Sequence, residues 1–169
     1  FFFDFKELKK YIKKNKKKKK IHFLVICTPN YLHFKYIKFG LKNRFEVICE
    51  KPLVLNSNHL LNTIRLEKKY KTKVNCIMQL RLNNKLIKTK KIIEKKINKK
   101  PKKVFTGYIN YITFRGDWFL KSWKGNKNKS GGLTTNIGIH LFDLLYWYFG
   151  EYKKFKINFS SPVENRGIL

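Results

Sequence analysis

Phe45-Glu46-Val47-Ile48-Cys49-Glu50-Lys51-Pro52-Leu53 is the stretch on which the fold turns. The apolar run 45–49 has the length and composition of a buried parallel strand. Glu50-Lys51-Pro52 follows at its C-terminal end, and open α/β sheets bind ligands outside the carboxyl ends of their strands. Pro52 has no N–H, fixes its own φ and restricts Lys51 before it. It therefore ends the strand and aims the lysine. A lysine partly desolvated in a cleft can act as a general acid or base. The same tripeptide is also a common surface turn, so the flanking segments have to decide between the two.

On the N-terminal side, Phe5, Leu8 and Ile12 recur at helical spacing among lysines. They predict an amphipathic helix ending near Asn15, with the lysine run 16–20 as its solvated exit. Residues 21–27 are almost continuously apolar and predict a second parallel strand, buried on both faces. Thr28-Pro29-Asn30 ends it, and a helix follows over 32–42. Beyond Pro52, a helix is expected over 57–70 with Asn56 as N-cap, then a strand over 73–80. This α-β-α-β-α-β alternation predicts an α/β fold with a right-handed, mostly parallel sheet of the Rossmann type.

After Arg81 the pattern changes. Leu86, Thr89, Ile93 and Ile97 mark a helix, and 104–114 is long and β-rich. A polar, aromatic segment spans 115–125. A helix is expected over 135–148, stopped by Gly150, and a strand over 154–159. A second, α+β unit therefore begins near residue 81.

The 169 residues carry a formal net charge of +30. A polyanion partner is the ordinary inference from such a charge. Composition argues against a specific nucleic-acid site. Arginine occurs only at 44, 65, 81, 115 and 166, alanine is absent, and Lys, Asn, Ile, Phe and Tyr dominate, as AT-rich coding would produce. Nucleic-acid readers favour arginine for bidentate contacts. Cys27, Cys49 and Cys76 are odd in number, lack metal spacing and lie in or beside apolar runs. They are expected to be buried, reduced thiols of a cytoplasmic protein. The longest apolar stretch, 137–149, contains His140 and Asp143 and is too short to span a bilayer.

Four groups carry chemistry. Thr28-Pro29-Asn30 with His33 places a hydroxyl and an amide at the carboxyl edge of the sheet, or is simply a turn and helix cap. Glu50-Lys51-Pro52 is the second group, and Gln79 with Arg81 is the third. The fourth is Gly131-Gly132-x3-Asn136-x-Gly138-x-His140-x2-Asp143. There Asn136 and His140 share a helix face at i, i+4, and Asp143 at i+3 could orient the imidazole. A lone histidine in an apolar helix is more often a core residue; here glycines and polar partners flank it.

Together, Thr-Pro-Asn-x2-His, Glu-Lys-Pro-Leu and Gly-Gly-x3-Asn-x-Gly-x-His-x2-Asp resemble the glucose-fructose oxidoreductase, inositol dehydrogenase and MocA family of NAD(P)-dependent dehydrogenases, in order and over nearly the whole chain. Segments 27–33, 79–82, 115–118, 122–125 and 129–132 are similar to its nucleotide-sugar branch. That branch oxidises the 3-hydroxyl of UDP-N-acetylglucosaminuronate during surface-polysaccharide biosynthesis.

The resemblance implies residues 1–80 as the C-terminal half of a dinucleotide-binding domain. It implies 81–169 as an incomplete α+β substrate and oligomerisation domain. Lys51 would be the catalytic lysine and His140 its partner in proton transfer. Many relatives have aspartate where this chain has Asn136; the nucleotide-sugar branch has asparagine, so no carboxylate base is expected at that position. Thr28, Pro29, Asn30, His33, Glu50 and Lys51 would line the nicotinamide end of an NAD site, NADP being left open. Gln79, Arg81, Arg115, Trp118, Ser122, Trp123, Lys124, Asn136, His140 and Asp143 are candidates for contacts to a nucleotide-sugar substrate. The cationic ones could hold its carboxylate or diphosphate.

The family opens on a strand and G-x-G-x-x-G, which these residues do not contain. The chain is accordingly expected to be a fragment, inactive as it stands, of a homo-oligomeric enzyme. Two other classes compete with the enzyme: a non-catalytic nucleotide-sugar-binding relative of the same fold, and a basic nucleic-acid-binding protein.

Overall fold

The computed structural model describes residues 4–15, 21–100, 109, 116–151, 158–159 and 167–168, the last two pairs as backbone only. Three parallel strands, β1 (Phe23–Ile26), β2 (Glu46–Cys49) and β3 (Val74–Cys76), form a sheet in the order β1-β2-β3. Val25 pairs with Ile48, Ile48 with Asn75, and Cys49 with Cys76. The crossovers are α2 (His33–Lys42) and α3 (Ser57–Tyr70), which pack on each other. With strands added in one direction only, both helices lie on one face of the sheet.

Strand alternation sets the core. Ile26, Val47 and Cys49 point toward α2 and join Ile37 and Leu41 in one buried cluster. Gly40 allows the close approach of α2, because a Cβ there would lie 2.6 Å from Val47 Cγ2. The opposite face is open among the described residues: Phe23 is 54% and Val25 57% exposed. The expectation that β1 is buried on both faces is therefore corrected. An apolar run cannot report which of its faces a helix covers. α1 (Phe5–Asn15) docks on α2 through Phe5, whose ring meets Tyr36 at 4.8 Å and Phe39 at 4.9 Å, edge to face.

Helix ends follow local chemistry. Asn56 caps α3 by accepting the His59 N–H at 2.8 Å, as its position before the helix predicts. The strand expected over 73–80 is shorter, because a 3-10 turn at Gln79–Leu82 bends the chain away. α4 (Asn84–Lys99) begins at an Asn83 cap and packs on α7 (Ile139–Phe149). The short helices α5 (Asp117–Lys121) and α6 (Lys127–Ser130) occupy the aromatic segment and the approach to Gly131. The helix expected over 135–148 is two elements: a wide π turn, Thr134–Gly138, and then α7. The strands β4 (Asn158–Phe159) and β5 (Gly167–Ile168) pair antiparallel. The expected strand over 104–114 lies outside the described residues, save Ile109.

Candidate active site

The carboxyl ends of β1, β2 and β3 open onto a cleft of about 420 Å³. Thr28, Asn30, Glu50 and Lys51 come from the first two strand ends, and Gln79 from the turn after the third. Trp118, Trp123 and Lys124 form a facing wall with Phe119. Asn136 and His140 close it from the π turn and α7. Ten of the expected residues are thus gathered around one space, although they span residues 28 to 140.

Lys51 is fixed by that closure. Its ammonium donates to the main-chain carbonyl of Asn136 at 2.7 Å and to Asn136 Oδ1 at 3.3 Å. π turns loosen the regular helical ladder and recur at functional sites; here one presents a carbonyl to the lysine. Gly131 makes the entry to this turn possible. Its φ is +85°, and a Cβ would lie 2.8 Å from Thr135 and 2.9 Å from Leu55.

His140 has its pKa lowered, chiefly by burial and then by the nearby Lys51 charge; Asp143 and Glu50 oppose this. Its buried Nδ1 has no hydrogen-bond partner among the described residues. Asp143 does not orient it, which corrects the expectation from i, i+3 spacing. The carboxylate is taken instead by Arg81, which donates from Nε at 2.9 Å and from a terminal nitrogen at 2.5 Å. That pair raises the Arg81 pKa, first through the hydrogen bond. The guanidinium also lies over Trp147, 5.7 Å from the ring centroid. Arg81 and Asp143 therefore brace the chain beside the cleft and do not line it.

Other expected residues are displaced from the wall. His33 is fully buried beneath it, with both ring nitrogens 2.8 Å from main-chain carbonyls, those of Pro52 and Thr28. Pro29 starts the 3-10 turn Asn30–Leu32. Ser122 caps its own turn, donating to Phe119 O at 2.9 Å and accepting the Lys124 N–H at 3.2 Å. Arg115 lies outside the described residues. Asn30, nearly buried, reaches across the sequence to donate to Ser130 O at 2.9 Å.

Sequence reasoning missed Cys27, Phe119 and Ile137 as lining residues. The first is an exposed thiol, not a buried one as expected. Cys49 is buried and Cys76 half-buried, and burial pushes their thiols up to about 12 and about 11. Position one residue past a strand was the available signal for Cys27, since strand ends open at the sheet edge.

The donor set fits the nicotinamide end of a dinucleotide. Thr28 Oγ1 is buried without a partner at the carboxyl edge of β1, where a polar ligand group would satisfy it. No described group of His, Cys, Asp and Glu has the arrangement of a metal site. No described helix is long and apolar enough to cross a membrane. Lys124 lies over both Trp118, at 5.1 Å, and Trp123, at 5.9 Å, so the wall offers aromatic faces with a cation between them.

Comparison with known proteins agrees with this geometry. Residues 3–77 match an oxidoreductase family with an NAD-binding Rossmann fold, and residues 90–167 match the C-terminal α/β domain of the same family. A Thermus thermophilus WlbA (WbpB) dehydrogenase, solved with NAD and UDP-GlcNAcA, superposes with a TM-score of 0.81 at 32% identity. The superposition covers 96% of this chain and 52% of that one. The Bordetella pertussis WlbA dehydrogenase, solved with NADH and UDP-GlcNAcA, shares the fold (TM-score 0.75, 19% identity, 92% of this chain and 49% of that one). The YteT protein of Bacillus subtilis is 28% identical over 129 residues, 76% of this chain and 30% of the relative. The chain thus spans about half the length of the two solved dehydrogenases and less of YteT. It belongs to the glucose-fructose oxidoreductase, inositol dehydrogenase and MocA family of oxidoreductases, whose Rossmann fold binds NAD.

Proposed function

We propose that the full gene product carrying this chain oxidises a hydroxyl of a nucleotide sugar, with UDP-N-acetylglucosaminuronate and its 3-hydroxyl as the substrate and position. The observation that carries the reading is the meeting of the Lys51 ammonium and the His140 imidazole in one cleft, with Asn136 holding the lysine. Support for the nucleotide sugar comes from the likeness to WlbA dehydrogenases solved with UDP-GlcNAcA. Bound NAD supplies the acceptor for hydride.

This chain's residues supply orientation and proton transfer. His140, with its pKa lowered, is the free base at neutral pH and takes the proton of the reacting hydroxyl. Lys51 stabilises the negative charge that develops on that oxygen. Asn136, an amide, cannot serve as the base; it anchors the lysine. Thr28, Asn30 and Glu50 hold the nicotinamide end. Trp118, Trp123 and Lys124 receive the sugar nucleotide, the rings by stacking and the cation by charge-assisted hydrogen bonds. Gln79 contacts the sugar from the turn after β3. By likeness to the family, the active form is a homo-oligomer working in the cytoplasm, in surface-polysaccharide biosynthesis.

The test is NADH formation by the full gene product with UDP-N-acetylglucosaminuronate, UDP-N-acetylglucosamine and free inositol, each supplied with NAD. The uronate should turn over fastest. Turnover of inositol alone would reject the nucleotide sugar and leave a polyol dehydrogenase. No NADH with any of the three would remove the reading.

A further inference from the structure

We infer that His33 is a positioning residue for the catalytic lysine, a buried brace joining the two turns that make the floor of the cleft; this rests on the dehydrogenase reading of Lys51. His33 is the first residue of α2 and has no exposed surface. The ladder between β1 and β2 reaches Glu50, whose N–H donates to Ile26 O at 2.9 Å. Two residues further along each chain, the imidazole takes over. Its Nε2 lies 2.8 Å from Thr28 O and its Nδ1 2.8 Å from Pro52 O. Carbonyl oxygens only accept, so the ring donates to whichever carbonyl faces its N–H and packs its other nitrogen against the second.

Pro52 is bonded directly to Lys51, and Thr28 directly precedes Pro29 and Asn30. The ring therefore spans the lysine turn and the Thr-Pro-Asn turn at one point. It does so from α2, which is anchored in the core through Ile37 and Leu41. Lys51 and Thr28 both line the cleft, whereas His33 does not. A side chain without an N–H would leave the carbonyl that the ring N–H serves unsatisfied and free the Lys51 turn to shift. The contact at stake is the 2.7 Å bond from Lys51 to Asn136 O. A displacement of about 1 Å in catalytic geometry can cost roughly 10²-fold in rate.

A core histidine with no such role would affect stability alone. The experiment compares His33→Phe and His33→Gln in the full gene product, with kcat expressed per folded, NAD-binding site. His33→Phe fills the volume without a donor; His33→Gln keeps an amide N–H. The expected result is a kcat lowered roughly 10–100-fold in His33→Phe, with KM for the nucleotide sugar within about threefold, and partial recovery in His33→Gln. Wild-type kcat per site in His33→Phe would overturn the inference.

A second readout does not depend on turnover: reductive labelling of Lys51 by pyridoxal phosphate and borohydride, mapped by peptide mass. The labelling rate should rise in His33→Phe and by a smaller factor in His33→Gln, whose amide holds the Lys51 turn only in part. An unchanged rate would overturn the inference even if His33→Phe fails to fold. Absence of NADH formation by the wild type would instead count against the dehydrogenase reading, while the labelling result would still decide on the brace.

Discussion

In the proposed reaction His140 takes the proton and Lys51 steadies the charge left on oxygen, and the cleft disfavours a charge on the imidazole. Burial and the lysine's charge both disfavour the imidazolium, so the folded pKa lies below the ordinary 6.5. Between the folded value and 6.5 the unfolded chain binds more protons. The stability tied to this group is therefore complete above pH 6.5 and is lost as pH falls through the folded pKa. NMR titration of the His140 ring should place its midpoint below 6.5. In Lys51→Met the midpoint should rise, because the lysine's charge is one of the two causes that lower it. A midpoint above 6.5 in the native protein would refute the assignment of His140 as base. The residue types at this site were legible in the sequence: Lys51 before a proline at a strand end, and His140 four residues beyond Asn136. The partners were not. Spacing brought Asp143 beside His140, but a carboxylate goes to the strongest donor within reach, and that donor is Arg81, 62 residues earlier. Local periodicity holds no information on such a pair.

At the scale of elements, the turns that carry the chemistry are set by a few backbone constraints. Gly131 has a positive φ and no room for a Cβ beside Thr135 and Leu55. Gly131→Ala should destabilise the protein by about 1–3 kcal/mol, seen as a lower denaturation midpoint. The variant should also lose turnover beyond what the unfolded fraction explains, because the π turn that holds Lys51 begins three residues after the substitution. Unchanged stability would mean that the turn does not depend on Gly131. Most of the described elements could be read from sequence. The α1, α2 and α3 positions follow apolar spacing, and Asn56 marks the start of α3. Two features could not. Nothing in the spacing of Thr134–Gly138 marks a wider winding, and the carbonyl it presents is taken by a lysine 85 residues earlier. His33 looks like a cofactor-edge residue in the motif, but α2 turns it down into the floor.

Across the whole molecule, polar bonds between the sheet segment and the C-terminal segment converge on the cleft. Asn30 donates to Ser130 O and Lys51 to Asn136 O at its floor. Within the C-terminal segment, Arg81 pairs with Asp143 at the cleft's flank, and Lys90 donates to Trp147 O at 2.9 Å further out. The first two bonds tie residues 100 and 85 positions apart, so the cleft is a property of the two segments together. The net charge of +30 contributes little to that arrangement. Its lysines are mostly solvated, whereas Lys51 is held by two acceptors of one residue. The central claim is that this one lysine serves chemistry and not cofactor affinity. Its most direct test is Lys51→Met in the full gene product, with NAD affinity measured by calorimetry and NADH formation followed with the nucleotide sugar. NAD affinity should stay within about threefold of wild type and turnover should fall roughly 10²–10⁴-fold. Turnover within tenfold of wild type, with NAD still bound, would contradict it.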